Sequence, residues 1–261
     1  MVDKETAGQQ IPASLDPREV DFYSGLAETW WDRRGPFWPL HRLNELRIKY
    51  IIDQVRMYYS IDSHHCAPLS GLNCLDIGCG GGILSESLAH HGGIVHGIDV
   101  VDKNIRIAQA HARQNSHDIH YELVSVEKLA TMGKQYELVF NMEVVEHVAE
   151  LDEFLDSCCK LVKPGGLMFI ATINRTWFSY IAAILGAEYI LRWLPKGTHQ
   201  WRRFQRPVDL KNQLLINEFD FIGESGVAVN PVTRTFSLVK NNWVNYMLVA
   251  KNSKNVTCFS Q

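Results

Sequence analysis

Leu75-Asp76-Ile77-Gly78-Cys79-Gly80-Gly81-Gly82 is the stretch that decides how this chain is read. A short apolar run, Cys74 to Ile77, is cut off by glycines and followed at once by the helix-periodic residues 83–91. An apolar run of that length ended by Gly suits a strand buried on both faces. Glycines at a strand-to-helix turn let a ligand approach the backbone closely, with N–H groups facing it. A second apolar run, residues 94–98, ends at Asp99. That is about 20 residues beyond the loop, where a carboxylate can accept hydrogen bonds from ribose hydroxyls. Loop and carboxylate together predict a site for an adenosine-containing ligand, with Gly78, Gly80 and Asp99 against it. A dinucleotide fingerprint needs a third glycine where this chain has Ile83, so that pattern fails. Asp76, two residues before Gly78, suits a positively charged ligand, and a sulfonium is one.

Outward from the loop the pattern alternates. Residues 104–114 read as a helix, 120–124 as a third strand and 136–141 as a fourth. Residues 144–161 read as a helix closed by the turn Lys163-Pro164-Gly165-Gly166, and 167–173 as a fifth strand. Two further β-like runs, near 221–229 and 245–250, complete the sheet. Strands alternating with helices predict an α/β, doubly wound, mostly parallel Rossmann-like sheet. Residues 1–20 read as a loose tail. Residues 21–70 read as an N-terminal helical cap, broken near Gly35-Pro36, and a polar linker. The α/β domain spans 71–251, with a helical insertion at about 175–215, and 252–261 is a tail.

The 261 residues are 46% hydrophobic and 21% charged, enough to bury one substantial core. A formal net charge of -3 argues against a nucleic-acid binder. The six cysteines form no Cys-x-x-Cys pair, which excludes a zinc ribbon, a thioredoxin motif and a secreted disulfide framework. The N-terminus lacks the apolar core of a secretory signal. The most apolar stretch, residues 177–194, is interrupted by Glu188 and Arg192, and reads as a helix buried or lying on a membrane surface rather than crossing it.

A second cluster follows the fourth strand: Asn141-Met142-Glu143-Val144-Val145-Glu146-His147. If Glu143 opens a helix, Glu143, Glu146 and His147 share one face. Two carboxylates and an imidazole there can hold a divalent metal. Alternatively His147 acts alone as a general base, or the cluster is a solvated acidic first turn. Ser125, just after the third strand, lies where an adenine would sit.

The loop resembles motif I of class I S-adenosylmethionine (SAM) methyltransferases. From about Val20 to Ala250 the chain resembles the ubiquinone-biosynthesis O-methyltransferases. The resemblance is carried by Trp30-Trp31-Asp32, Pro39-Leu40-His41-Arg42, Leu46-Arg47, Leu75 to Leu84, Met142-Glu143 with Glu146-His147-Val148, and Pro195-Lys196-Gly197-Thr198-His199. It implies methylation of hydroxyls on polyprenyl phenols and catechols, with SAM contacts from Arg47, Gly78, Asp99 and Met142. It also implies a divalent metal, Mg²⁺, on Glu143, Glu146 and His147, and it draws attention to His199 as a second candidate base. Residues 177–194, with basic Arg192 near their end and Lys196, Arg202, Arg203 and Arg206 after them, would rest on anionic lipid and accept a polyprenyl tail, or hold another enzyme of ubiquinone biosynthesis. The implied location is the cytoplasmic face of the inner membrane, or the matrix side for a processed organellar form. A methyltransferase of another phenol and a non-catalytic membrane scaffold are the competing readings.

Overall fold

The computed structural model describes residues 25, 27–176, 204–230 and 232–254. Its centre is an eight-stranded sheet in the order β3-β2-β1-β4-β5-β8-β6-β7. The strands are β1 Asn73–Ile77, β2 Ile94–Asp99, β3 His120–Leu123, β4 Tyr136–Met142, β5 Val162–Ile173, β6 Phe219–Asn230, β7 Thr235–Val239 and β8 Asn245–Asn252. The first five are parallel, as the alternation of strands and helices requires. Strands β8, β6 and β7 then run antiparallel to their neighbours. Strand β7 was not expected: its five residues alternate too briefly to stand out, and they gain their place only by pairing with β6.

The described helices are α1 Trp38–Tyr59, α2 Ile83–His90, α3 Asp102–Gln114, α4 Val126–Ala130, α5 Leu151–Lys160 and α6 Pro207–Ile216. Successive strand residues point to opposite faces, and both faces of the sheet are apolar. Leu138, Phe140, Leu167, Phe169 and Ala171 meet Leu43, Ile51, Ile52 and Val55 of α1 on one side. Val139, Met168 and Ile170 meet Phe154, Leu155 and Cys158 of α5 and Leu210 and Leu214 of α6 on the other. This three-layer packing explains why the parallel strands read as continuous apolar runs. Helix α1 packs directly into the sheet core.

The chain moves outward from β1 to β2 and β3, then returns to place β4 on the other side of β1. The carboxyl ends of β1 and β4 therefore form a switch point, where open α/β sheets bind ligands. Ile77 is in register with Ile98 and Asn141, so Gly78, Asp99 and Met142 leave three adjacent strands at the same level.

Two expected elements differ: the turn read at Lys163-Pro164-Gly165-Gly166 lies inside β5, which begins at Val162, and the helix read over 144–161 starts late. Residues 145–147 form a turn, Val148 a single bridge, and α5 begins only at Leu151. The β-branched pair Val144-Val145 is a poor helix start, and Val145 and Val148 bury themselves in the sheet core. Their spacing imitates a helical stripe without forming one.

Candidate active site

Gly78, Gly80 and Gly82 have φ of +67°, +54° and +89°, a region that side-chain-bearing residues rarely adopt. Space enforces the same choice. A methyl group on Gly80 would come within 2.5 Å of the Trp30 indole, and one on Gly78 within 2.6 Å of Val144. The loop is stitched to the end of β2 by Asp99. Its Oδ2 accepts from the Gly80 N–H at 2.9 Å. Its Oδ1 accepts from the Val101 N–H at 2.8 Å and from Asn104 Nδ2 at 3.4 Å. Burial raises Asp99 above the usual carboxylate range, and the bonds from Val101 and Gly80 oppose that rise. Asp76 lies at the same strand ends, with Ser85 Oγ donating to it at 2.6 Å. Burial pushes it up to about 7, with a further contribution from Asp99. Two buried carboxylates side by side favour a cation between or near them.

The sequence pattern did not reveal what covers the loop. The Trp30 indole lies on Gly80 and Gly81, stacks on Phe37 at 3.9 Å and donates from Nε1 to Asn104 Oδ1 at 2.8 Å. Trp31 donates from Nε1 to the Gly81 carbonyl at 2.9 Å and stacks on His111 at 3.4 Å. These contacts span 50 and 74 residues of chain. Two adjacent tryptophans in a polar neighbourhood were the available signal.

Arg47 reaches the switch point from α1 and is only 5% exposed. One guanidinium nitrogen donates to the Glu143 carboxylate, while its Nε is buried with no partner. A buried fork with an unused N–H is built for a carboxylate. SAM carries a carboxylate, a sulfonium and a ribose. The unused Arg47 donor suits the carboxylate, buried Asp76 the sulfonium, and Asp99 beside the glycine turn the ribose.

Met142 ends β4 half-buried against the core that α1 shares. Ser125 caps α4, its Oγ accepting from the Lys128 N–H at 3.3 Å. It follows Val124, whose N–H bonds the Asp99 carbonyl at 3.2 Å. Both thus stand at the strand ends where the sequence reading put them.

The acidic–histidine cluster is arranged differently from the expected helical face. Glu143 is left-handed, with φ +60°, and its carboxylate serves Arg47. Glu146 turns inward, 4% exposed, with Thr172 Oγ1 donating to it at 2.7 Å. Burial and the Glu143 charge push it up to about 7, and His147 opposes that rise. His147 is half-buried. The ligating atoms of these three residues do not gather within 4.8 Å of one another; among the described residues only His96, His120 and Glu122 do so. Glu143, whose carboxylate is held by Arg47, would have to turn before the three could share one ion. His199 lies outside the described residues, as do residues 177–203 with Arg192, Lys196, Arg202 and Arg203. No described helix is long and apolar enough to cross a membrane.

Residues 75–170 match a family described as a methyltransferase domain. The chain is 45% identical over 238 residues to a ubiquinone biosynthesis O-methyltransferase of Bartonella bacilliformis, covering 91% of this chain and 96% of that one. It is 46% identical over 239 residues to the one of Rhizobium johnstonii, covering 92% and 96%. Among solved structures it is similar to magnesium protoporphyrin IX methyltransferase of Synechocystis with bound SAH. The TM-score is 0.61 and the identity 18%, over 90% of this chain and all of that one.

Proposed function

The chain belongs to the ubiquinone biosynthesis O-methyltransferases and is a SAM-dependent enzyme, and on that premise we propose how its own residues divide the work on a phenolic hydroxyl of a polyprenyl substrate. The observation that carries the reading is the buried Arg47 guanidinium, with an unused donor at the switch point. Arg47 holds the cofactor's carboxylate, Asp99 accepts its ribose hydroxyls, and the Gly78 to Gly82 turn lets it lie against the backbone. Ser125 and Met142 flank the adenine. When bound, SAM supplies a methyl group on a sulfonium, open to attack by an oxygen. The protein's task is to aim that oxygen and remove its proton. His147 takes the proton from the phenolic O–H, and the inward Glu146 carboxylate stabilises the imidazolium that results. His199 is held in reserve as a second base.

A second reading gives the oxygen's activation to Mg²⁺. It is favoured by one observation: Glu146 is a buried carboxylate beside the Glu143 charge, and a cation would compensate both. Glu143 would first have to leave Arg47, which an arriving cofactor carboxylate could cause. The deciding experiment is methyl transfer from labelled SAM to a short-tail polyprenyl catechol, with Mg²⁺ and with EDTA. The arrangement as it stands predicts transfer that survives EDTA. Transfer lost on chelation and restored by Mg²⁺ would assign the ion to Glu143, Glu146 and His147 instead. Transfer that ignores the tail altogether would favour a different phenol.

The polyprenyl tail brings the enzyme to a membrane surface, at the cytoplasmic face of the inner membrane or the matrix side of an organelle, beside other enzymes of the same biosynthesis. A cavity of about 520 Å³ supports this location: it is lined by Arg33, Arg34, Arg42 and Arg234 with Trp38 and two threonines. Clustered arginines beside an aromatic residue suit anionic headgroups, at roughly 1 kcal/mol per cation near the surface. The enzyme is expected to float with vesicles containing phosphatidylglycerol and not with neutral ones, and to be released by salt. Reversing Arg33 and Arg34 to glutamate should weaken that association. Equal binding to neutral vesicles would remove the electrostatic basis.

A further inference from the structure

We propose that His96, His120 and Glu122, on the β2–β3 edge of the sheet, form a binding site for a zinc-class divalent transition-metal ion, separate from the cofactor site. His96 and His120 are register partners on neighbouring parallel strands. Glu122 is two residues beyond His120 and so projects from the same face. Glu122 Oε2 lies 3.1 Å from His96 Nε2 and 3.5 Å from His120 Nε2, and all three ligating atoms fall within 4.8 Å of one another. Nitrogen and oxygen ligands about 2.0–2.2 Å from a tetrahedral zinc are roughly 3.3 Å apart, so the carboxylate already stands at ligand spacing from both rings. Two imidazoles and one carboxylate leave a fourth position for water.

His96 supplies the independent sign that something belongs here. It is 6% exposed, and its Nε2 is buried with no aligned hydrogen-bond partner. Glu122 Oε2 stands 3.1 Å from it. The other nitrogen, Nδ1, lies 2.6 Å from the Tyr136 hydroxyl. Coordination at Nε2 requires the proton on Nδ1, and the Tyr136 oxygen is in place to accept it, as outer partners of metal-bound histidines do. The one competing cation recorded near Glu122 is Lys134, whose Nζ is 3.9 Å from Oε2, on a half-exposed side chain that can swing aside.

The site would tie β3, the edge strand, to β2 upstream of Asp99, and so steady the Val124–Ser125 connection. The test is calorimetric titration of the full chain with ZnCl₂, with Co²⁺ absorption as a second readout. Saturable binding of one equivalent is expected, together with a tetrahedral Co²⁺ spectrum. Tyr136→Phe should weaken binding about 10- to 100-fold, as loss of an outer partner does. His120→Ala and Glu122→Gln alter exposed or half-exposed groups that fold should tolerate, and each should weaken binding by more than that. Lys134→Ala should bind at least as tightly as the native chain. Glu143→Ala should bind zinc unchanged, which separates this site from the active-site cluster. Absence of saturable binding, or equal affinity in His120→Ala and Glu122→Gln, would overturn the proposal; in the second case the zinc would be held elsewhere, for instance by the exposed Cys66 thiol.

Discussion

His147→Ala is expected to lower kcat for methyl transfer by about 10²- to 10⁴-fold, the range a positioned general base contributes, while leaving SAM affinity unchanged. The separation follows from position. His147 sits past the end of β4, in the turn before α5, and Arg47, Asp99 and Gly80, the groups proposed to hold the cofactor, come from other elements. Glu146, its buried neighbour, is hydrogen-bonded by Thr172, so removing the imidazole leaves that carboxylate anchored. Steady-state kinetics and calorimetric SAM titration on the same preparation check both halves. A native rate in His147→Ala would return the proton transfer to His199 or to solvent. A loss of SAM affinity in step with the rate would mean that the histidine shapes the cofactor site.

Asp99→Ala is expected to be the most damaging change to cofactor binding. The carboxylate accepts from the Gly80 and Val101 N–H groups and from Asn104, and it is assigned the ribose hydroxyls besides. Hydrogen bonds to a charged group contribute about 1.5–3 kcal/mol each. Two lost to the ribose predict an affinity loss of roughly 10²- to 10⁴-fold at 1.4 kcal/mol per decade. Stability should fall as well, by about 1–3 kcal/mol for a buried donor left unmatched. Asp99→Asn keeps one oxygen for the glycine turn and should recover part of the stability. It should recover little of the affinity, because its amide nitrogen cannot accept. SAM titration and thermal unfolding measure the two effects. If Asp99→Ala bound SAM like the native enzyme, the ribose assignment would fall, and only the structural stitch would remain.

The sequence by itself determined the sheet and its ligand-binding end. Buried parallel strands are apolar on both faces, so Cys74 to Ile77 and residues 136–141 announce themselves locally. Left-handed turns exclude side chains, so Gly78 to Gly82 mark the place where the backbone is open. Asp99 was legible because its spacing from the loop follows from one strand–helix–strand unit. Each of these signals lies within about 30 residues, the length of one such unit. Tertiary structure alone decided the rest. Trp30 against Asn104 and Arg47 against Glu143 join residues 74 and 96 positions away from their partners, and no periodicity encodes such a meeting. The valines before α5 carry a helical spacing, yet the core draws Val145 and Val148 inward and Glu143 turns left-handed toward a buried guanidinium. His96, His120 and Glu122 are unremarkable in sequence, carried by two strands with a helix between them in the chain. They become neighbours only because parallel pairing fixes His96 opposite His120, and the two-residue repeat of a strand does the rest.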